Sequence, residues 1–591
     1  MRRMLQTLPA QPATFVRTPR APLLRMSHAI WPLNGQTRLM TTLGQGRVGP
    51  KTAVTGATAV ASSQHPIATD TILDVLRSGG NAIDAAIAGC VVQAVVQQDM
   101  TNHTGAVTML YYEAATGQVH ELESMGTIVP DLAPFHPIPG GKGLYSALGT
   151  RGPYAVIPGF MPGMKAMFER FGSKPWAELV EPSIRWAAEG HEVSSFEHLV
   201  MAQTADFFLY TASGRAHFTP DGHLPQVGDL FPRPELAETM GGLAAEGPDY
   251  FITGKWAESF VARATEMGWA ITMDHMPGIP VRWSNGFSWD HKGNTVVQQS
   301  PPERQGVFCA MVLGILDELD VTSYGHYSTS PEALYFFAHA LRRAAAETGF
   351  LNDPETHADP SATLASRELH ALLAKVLVDS LPKIDLTKHV ELTSGPLALR
   401  AAGGSASKQP AGSCEITVVD ADGNWVQMMN TLQSGGIPGE VVGGVPMVGS
   451  HGMANLASPI AGWFTGGGRM RSILSNTMVL RDGKPWISLG SPGNVHCTVP
   501  QVLSNILDYD MAPYDADDAP RMLPYEDGHS ISIESRVAPG MADGLAKLGV
   551  LLNPLPTYDY HMGTYQMAWR EPAGTLGAST GPRRAGQAAG I

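Results

Sequence analysis

Ser413 opens a strand pattern, GSCEITVVD, directly behind a run of small, flexible residues, RAAGGSASKQPA. A serine hydroxyl is a weak nucleophile until a base takes its proton. In a hairpin such a serine is ordinarily a turn or edge residue. A chain cut between Gly412 and Ser413 would change that, because the freed α-amino group of Ser413, with an unperturbed pKa of about 7.7 to 8.0, would supply the base. The flexible stretch would then let the bond be strained and attacked, and let the released end swing away. Attack on an amide also needs donors for the developing oxyanion. WISLGSPGNVHCTVPQVLSNILDY runs from a strand through a turn into a helix pattern, so the backbone N–H groups of Gly493 and Asn494 could face a site at a helix N-terminus. The same residues would serve equally as a tight structural turn.

Other groups offer less. Cys90, Cys309, Cys414 and Cys497 lie far apart, which suggests neither a disulfide framework nor a zinc site. GQGRVG, from Gly44 to Gly49, has the spacing of a dinucleotide fingerprint, but no strand precedes it and Pro50 follows, so it reads as a loop. GHEVSSFEH brings His191, Glu192, Glu197 and His198 together without the spacing of a helical zinc site, and reads as a solvated helix-to-loop edge. No metal or organic cofactor is expected.

The elements that must position these residues alternate between two periods. In SSQHPIATDTILDVLRSGGNAIDAAIAGCVVQAVVQQ, Ile72, Val75 and Leu76 mark a helix that Gly79 and Gly80 stop, and Asn81 caps a second, apolar nearly all round and therefore buried. Three hairpins are predicted, in AVTMLYYEAATGQVHELESMG, EITVVDADGNWVQMMNTL and SNTMVLRDGKPWISLG. Between the first and the other two lie GMKAMFERFG, PWAELVEPSIRWAAEG, ELAETMGGLAAEG, WAESFVARATEMG and PEALYFFAHALRRAAAETGF, all of helical period. Helices grouped apart from antiparallel strands indicate an α+β fold with layered packing.

The chain has 591 residues, a formal net charge of -14 and 43% hydrophobic residues. It lacks the clustered Lys and Arg that binding nucleic acid requires. No apolar run reaches the ~20 residues of a membrane-spanning helix. The prolines and arginines of the N-terminus interrupt any signal-peptide core, so the cytoplasm is expected rather than export. Residues 1–51 read as a disordered extension. The segment 394–412, rich in Gly, Ala and Ser, separates a helix-rich part, 52–412, from a strand-rich part, 413–591.

SSQHPIATDTILDVLRSGGNAIDAAIA, AVIPGFMPGMKAMFERFGSKPWAELVEPSIRWAAEGHEVS, ITVVDADGNWVQMMNTL and LRDGKPWISLGSPGN together resemble the γ-glutamyltransferase family of N-terminal nucleophile hydrolases, in order over roughly residues 52 to 580. The resemblance implies a four-layer αββα sandwich, made as a precursor that cleaves itself into a large and a small subunit, with the small subunit's first residue as nucleophile. In most members that residue is threonine, heading a Thr-Thr-His-x-Ser-Val-Val-Asp run. The match through Val418, Val419 and Asp420 places Ser413 there, Cys414 beside it and Glu415 where the histidine usually stands. Cys414 is the alternative nucleophile, at the cost of a one-residue slip that would turn it to the other face of the sheet. Thr431 corresponds to the threonine that supports the nucleophile, and Gly493 and Asn494 to the Gly-Gly pair of the oxyanion hole.

The substrate-binding positions differ. The family's arginine for the γ-glutamyl α-carboxylate falls near Glu123, its aspartate for the α-ammonium at Asn455, an asparagine at Gln433, and a Ser-Ser pair at Ser472 and Ile473. A carboxylate facing a carboxylate repels it, although Arg469 or Arg471 could supply the missing charge. The expectation is a self-processing amide hydrolase acting on a small amide other than ordinary γ-glutamyl compounds. The alternatives are a γ-glutamyl hydrolase or transferase with a rearranged pocket, and a non-catalytic relative used as a scaffold. The two subunits of one precursor would be each other's partners, and a higher oligomer is compatible with this.

Overall fold

A computed structural model describes residues 46–591 apart from 131–155, 210, 269, 280, 381–384, 389–411, 432–438, 448–473 and 525–529. Residues 394–411 of the segment before Ser413, all of it but Gly412, and Gln433, Asn455 and Ser472 with Ile473, Arg469 and Arg471, lie outside the described residues.

Two seven-stranded sheets, antiparallel throughout, hold the candidate residues. In spatial order the first contains β14 (Gln587–Gly590), β2 (Val60–Ser63), β8 (Cys414–Val419), β9 (Trp425–Thr431), β3 (Ala106–Glu113), β4 (Gln118–Ser124) and β5 (Arg282–Ser284). The second contains β1 (Val54–Gly56), β13 (Leu576–Thr580), β12 (Gln566–Arg570), β11 (Lys484–Gly490), β10 (Thr477–Arg481), β7 (Asn294–Gln298) and β6 (Phe287–His291). All three expected hairpins are present, as β3–β4, β8–β9 and β10–β11.

Alternation along the strands sends side chains to opposite faces. On β8 and β9, Ile416, Val418, Val426 and Met428 join a core with Ile83, Ile87 and Val91 of helix α2 (Ala82–Val96) and Ile72 of α1 (Pro66–Arg77). The other face carries Val419 and Trp425, which pack with Val60, Leu110, Val297, Met478 and Ala568, residues of both sheets. From the second sheet, Val479, Ile487 and Met567 form a third core with α3 (Gln305–Glu318), α4 (Pro331–Thr348) and α5 (Val495–Leu507). Each buried aliphatic side chain contributes about 1.5–3 kcal/mol relative to exposure. These helices and antiparallel sheets make the fold α+β.

Local chemistry explains the elements nearest the site. Asn81 and Asp84 form a capping box at the start of α2, all fifteen of whose residues are buried. The β8–β9 turn, DADGN, uses Gly423 at φ +84°. Its Asp420 carboxylate accepts from the Asp422 and Asn424 backbone N–H groups, from Asn424 Nδ2, and from the N–H of Ala82 at the head of α2, at 2.8–3.1 Å. One side chain thus fixes both the hairpin turn and a helix beneath it.

The chain just before the first strand is packed: Gly46 donates to the Gly586 carbonyl, and the buried Lys51 Nζ donates to the carbonyls of Gly581 and Arg584. Residues 46–51, read from the sequence as the end of an extension, are therefore packed against the fold. GQGRVG is a loop where it is described. Among the described residues no helix is long and apolar enough to cross a membrane.

Asp420→Ala leaves four donors without their acceptor, so a destabilisation of ~3 kcal/mol is expected. A lowered thermal midpoint would show it, with Asp420→Asn falling between Ala and the native chain; an unchanged midpoint would contradict the account.

Candidate functional site

β8 pairs with β9 so that Cys414 stands opposite Asn430 and Val419 opposite Trp425. One residue beyond the strand, Ser413 therefore lies level with Thr431, the last residue of β9. Ser413 Oγ donates to Thr431 Oγ1 at 2.8 Å, and Thr431 Oγ1 donates in turn to the carbonyl of Gly412 at 3.2 Å. Ser413 Oγ also sits in close contact with that same carbonyl oxygen. The arrangement places a hydroxyl against the carbonyl of the peptide bond preceding it, with a second hydroxyl able to accept the first one's proton and polarise the bond. Both side chains are buried, Ser413 at 6% exposure and Thr431 at 2%.

Cys414 points the other way. It packs with Met100, Phe196 and Val200, its Sγ lies 3.3 Å from Gln97 Oε1, and burial pushes its thiol well above the usual range. A buried thiol held in its neutral form is a poor nucleophile. The alternation that turns Cys414 toward the helices turns Ser413, Glu415 and Thr417 toward the second sheet.

On that inner face Glu415 is fully buried. One oxygen of its carboxyl accepts from Gln427 Nε2 at 2.7 Å and the other lies 3.2 Å from Ser475 Oγ; burial, opposed by these hydrogen bonds, pushes the pKa up to about 8. Ser475 Oγ accepts the backbone N–H of Ser491 at 2.8 Å, which ties β8 to the turn carrying Gly493 and Asn494. In that turn Gly493 adopts φ +93°, which favours glycine, and a Cβ there would crowd the His561 carbonyl at 2.6 Å. The Gly493 N–H donates to none of the described residues. The Asn494 N–H instead donates to the His561 carbonyl at 3.0 Å, as does Asn494 Nδ2. The expectation that both N–H groups face a site is thus corrected for Asn494, whose N–H is drawn into the contact that holds the turn to its neighbouring loop.

Glu123 lies on β4, paired with Thr108 of β3 and Arg282 of β5. It shares the inner face of the sheet, but three strand spacings, ~14 Å, separate β4 from β8. The structure does not bring it beside Ser413.

Two buried features escaped the sequence. The guanidinium of Arg584, brought in by the C-terminal segment, donates to the carbonyl of Ser413 at 3.2 Å and contacts Gln64 Oε1 at 3.4 Å. Burial lowers its pKa to about 10. Nearby Asp99 has its pKa raised, first by burial and then by Glu197. The signal was the basic pair in GPRRAG, set in a terminus otherwise of small residues.

The second lies in GHEVSSFEH, where Glu192 is exposed and His198 half-buried, as a solvated edge would have them, but the other two residues are not. His191 and Glu197 are both buried, with His191 Nε2 2.9 Å from the Glu197 carboxylate. Arg233, which can only donate, reaches His191 Nδ1 at 3.0 Å, so the imidazole proton lies on Nε2 and points at Glu197. Burial, then Arg233, lowers the His191 pKa. Partnering, rather than solvent, satisfies these groups.

Comparison with known proteins identifies the family. The sequence profile of the family described as gamma-glutamyltranspeptidase matches residues 68–591. A glutathione hydrolase proenzyme of Pseudomonas aeruginosa is 27% identical over 466 residues, covering 74% of this chain and 77% of its own. Acylase ACY 1 proenzyme of Pseudomonas sp. strain SE83 is 25% identical over 522 residues, covering 84% and 88%. Among solved structures, cephalosporin acylase from Bacillus halodurans superposes with a TM-score of 0.75 at 20% identity, over 94% of this chain and 99% of that one, a likeness of fold. The chain belongs to the gamma-glutamyltranspeptidase family, whose members are hydrolase and transferase enzymes of the N-terminal nucleophile type.

Proposed function

We propose that this chain is a precursor that cuts its own Gly412–Ser413 bond and then hydrolyses, or transfers the acyl group of, a small amide other than ordinary γ-glutamyl compounds. The observation that carries this reading is the hydrogen bond from Ser413 Oγ to Thr431 Oγ1 at 2.8 Å, with Thr431 in turn on the Gly412 carbonyl. On this reading the two sheets with their helices form the four layers of an αββα sandwich, and residues 52–412 and 413–591 become the two subunits. The proenzyme names of the relatives support such processing.

In the cut, Ser413 Oγ bonds to the Gly412 carbonyl carbon, the C–N bond breaks, and the hydroxyl proton ends on the freed amine. Water then hydrolyses the resulting ester and leaves a Gly412 carboxylate. In turnover, the α-amino group takes the Ser413 hydroxyl proton as Oγ attacks the substrate carbonyl, and passes it to the departing amine. Thr431 supports the nucleophile, and the Gly493 N–H serves the oxyanion. An Asn494 N–H contribution would require release from the His561 carbonyl. The acyl ester then passes to water or to an amine.

The substrate class follows from the recognition positions. Glu123, Gln433, Asn455 and Ser472 do not match, residue for residue, the family's positions for an α-amino acid headgroup, and the acylase name of one relative supports an acyl amide.

Purified protein on a denaturing gel should run as two fragments, the smaller beginning at Ser413. Ser413→Ala should leave one inactive chain of 63.0 kDa. Cutting of that variant at the same bond would refute the assignment. Cys414→Ala should still be cut before Ser413 and retain activity within about tenfold; abolished cutting with the fold intact would return the role to the thiol. A γ-glutamyl anilide should be turned over more slowly than a simple acyl amide, and the reverse order would favour a γ-glutamyl enzyme with a rearranged pocket.

A further inference from the structure

Glu415 stands where the family resemblance leads one to expect histidine, and its surroundings give the carboxyl a specific task. Thr417 Oγ1 donates to Gln427 Oε1. Gln427 Nε2 donates to Glu415 Oε1 at 2.7 Å, Glu415 Oε2 meets Ser475 Oγ at 3.2 Å, and Ser475 Oγ takes the Ser491 N–H at 2.8 Å. This chain of bonds starts on the β8–β9 hairpin, crosses between the sheets and ends two residues before Gly493. The space for it exists because residue 490 is glycine: a Cβ on Gly490 would overlap the Glu415 carboxylate.

We propose that Glu415 is a positioning residue for the amide chemistry, the link that holds the Gly493 turn in register with Ser413. The proposal rests on the N-terminal nucleophile reading and deepens it by assigning the residue that couples the nucleophile to the oxyanion donor.

The link works in one protonation state. The hydrogen-bond partners of Glu415 among the described residues are an amide and a hydroxyl, with no ammonium or guanidinium to balance a carboxylate. The neutral form is favoured up to a pH of about 8. It carries a proton that Gln427 Nε2, a donor, cannot accept, so that proton goes to Ser475 Oγ, which then accepts from both Glu415 and the Ser491 N–H. Above pH 8 a buried, uncompensated charge appears and the arrangement is disfavoured. The ionisable groups around Glu415 are the thiols of Cys90 on α2 and Cys414 on its own strand, both pushed well above their usual range by burial, and, once the chain is cut, the α-amino group of Ser413 two residues away, which is neutral in the state that acts as base. Arg584 lies beyond them on the opposite face of the strand, on the Ser413 carbonyl.

The test compares kcat and KM of native, Glu415→Gln and Glu415→Ala enzymes from pH 6 to 10, on whichever simple acyl amide the native enzyme turns over. Native kcat should be bell-shaped in pH, rising as the Ser413 α-amino group loses its proton and falling as Glu415 ionises above about 8. Glu415→Gln, which cannot ionise, should lose severalfold in kcat at pH 7 but show no such fall. Glu415→Ala should lose roughly 100-fold in kcat with KM changed little, the expected effect of a misplaced donor. Ser475→Ala, which breaks the same link with a smaller side chain, gives the second route should Glu415→Ala fail to fold, and should also lower kcat more than it changes KM. An alkaline fall retained in Glu415→Gln, or native kcat in both Glu415→Ala and Ser475→Ala, would overturn the proposal. A native chain that stays uncut and inactive would instead overturn the reading beneath it.

Discussion

The structure depends on the register of one antiparallel pair. With Cys414 opposite Asn430 and Val419 opposite Trp425, Ser413 lies level with Thr431 and turns toward the second sheet. A one-residue slip would reverse every side chain on β8 and bring Cys414 inward, with Ser413 and Glu415 against the helices. Such a slip is opposed at the far end of the hairpin. There the Asp420 carboxylate gathers the turn and the head of α2, and Trp425 fills the space between the sheets. The chemistry at one end of the hairpin is thus held by capping and packing at the other.

Ser413 has a buried ionisable group near it on each face of its strand. On the helix side the Arg584 guanidinium holds its carbonyl, and on the sheet side the Glu415 network reaches toward the Gly493 turn. Both are buried ionisable groups, and each is moved in the direction burial dictates, Arg584 down to about 10 and Glu415 up to about 8. Their burial is costly on its own account and gains meaning only from position. A positive guanidinium near the α-amino group of a processed Ser413 would also disfavour its protonation, which suits a base.

Local features were legible in the sequence because their causes are local. Gly79, Gly80 and Asn81 punctuate α1 and α2 where the pattern placed the boundary, and the Asp-Gly turns mark two of the three hairpins. That Ser413 and Cys414 face opposite sides of the sheet followed from period-two alternation. What could not be read came from distant segments. Arg584 reaches Ser413 across 171 positions and Ser475 reaches Glu415 across 60. His191 and Glu197 looked like surface residues because Arg233, which completes their burial, lies 42 positions from His191. For Glu123 the sequence indicated the strand, while the number of strands between it and Ser413 is a matter of sheet order, which no local pattern encodes.

The inner face of the β8–β9 hairpin changes character along its length, and this gradient explains how one fold both packs two sheets and keeps a polar site between them. At the turn end Val419 and Trp425 are apolar and join a core shared by both sheets. In the middle Thr417 and Gln427 bond each other, and Thr417 Oγ1 meets Ser488 Oγ of the second sheet at 3.2 Å. Glu415 follows, and at the open end come Ser413 and Thr431. Each polar residue along this row has a partner on the neighbouring strand or the facing sheet, so the desolvation that would penalise isolated groups is offset step by step. The sheets are pinned together by apolar packing where no chemistry is required, and that rigidity is passed along a row of hydrogen bonds to the residues that need it.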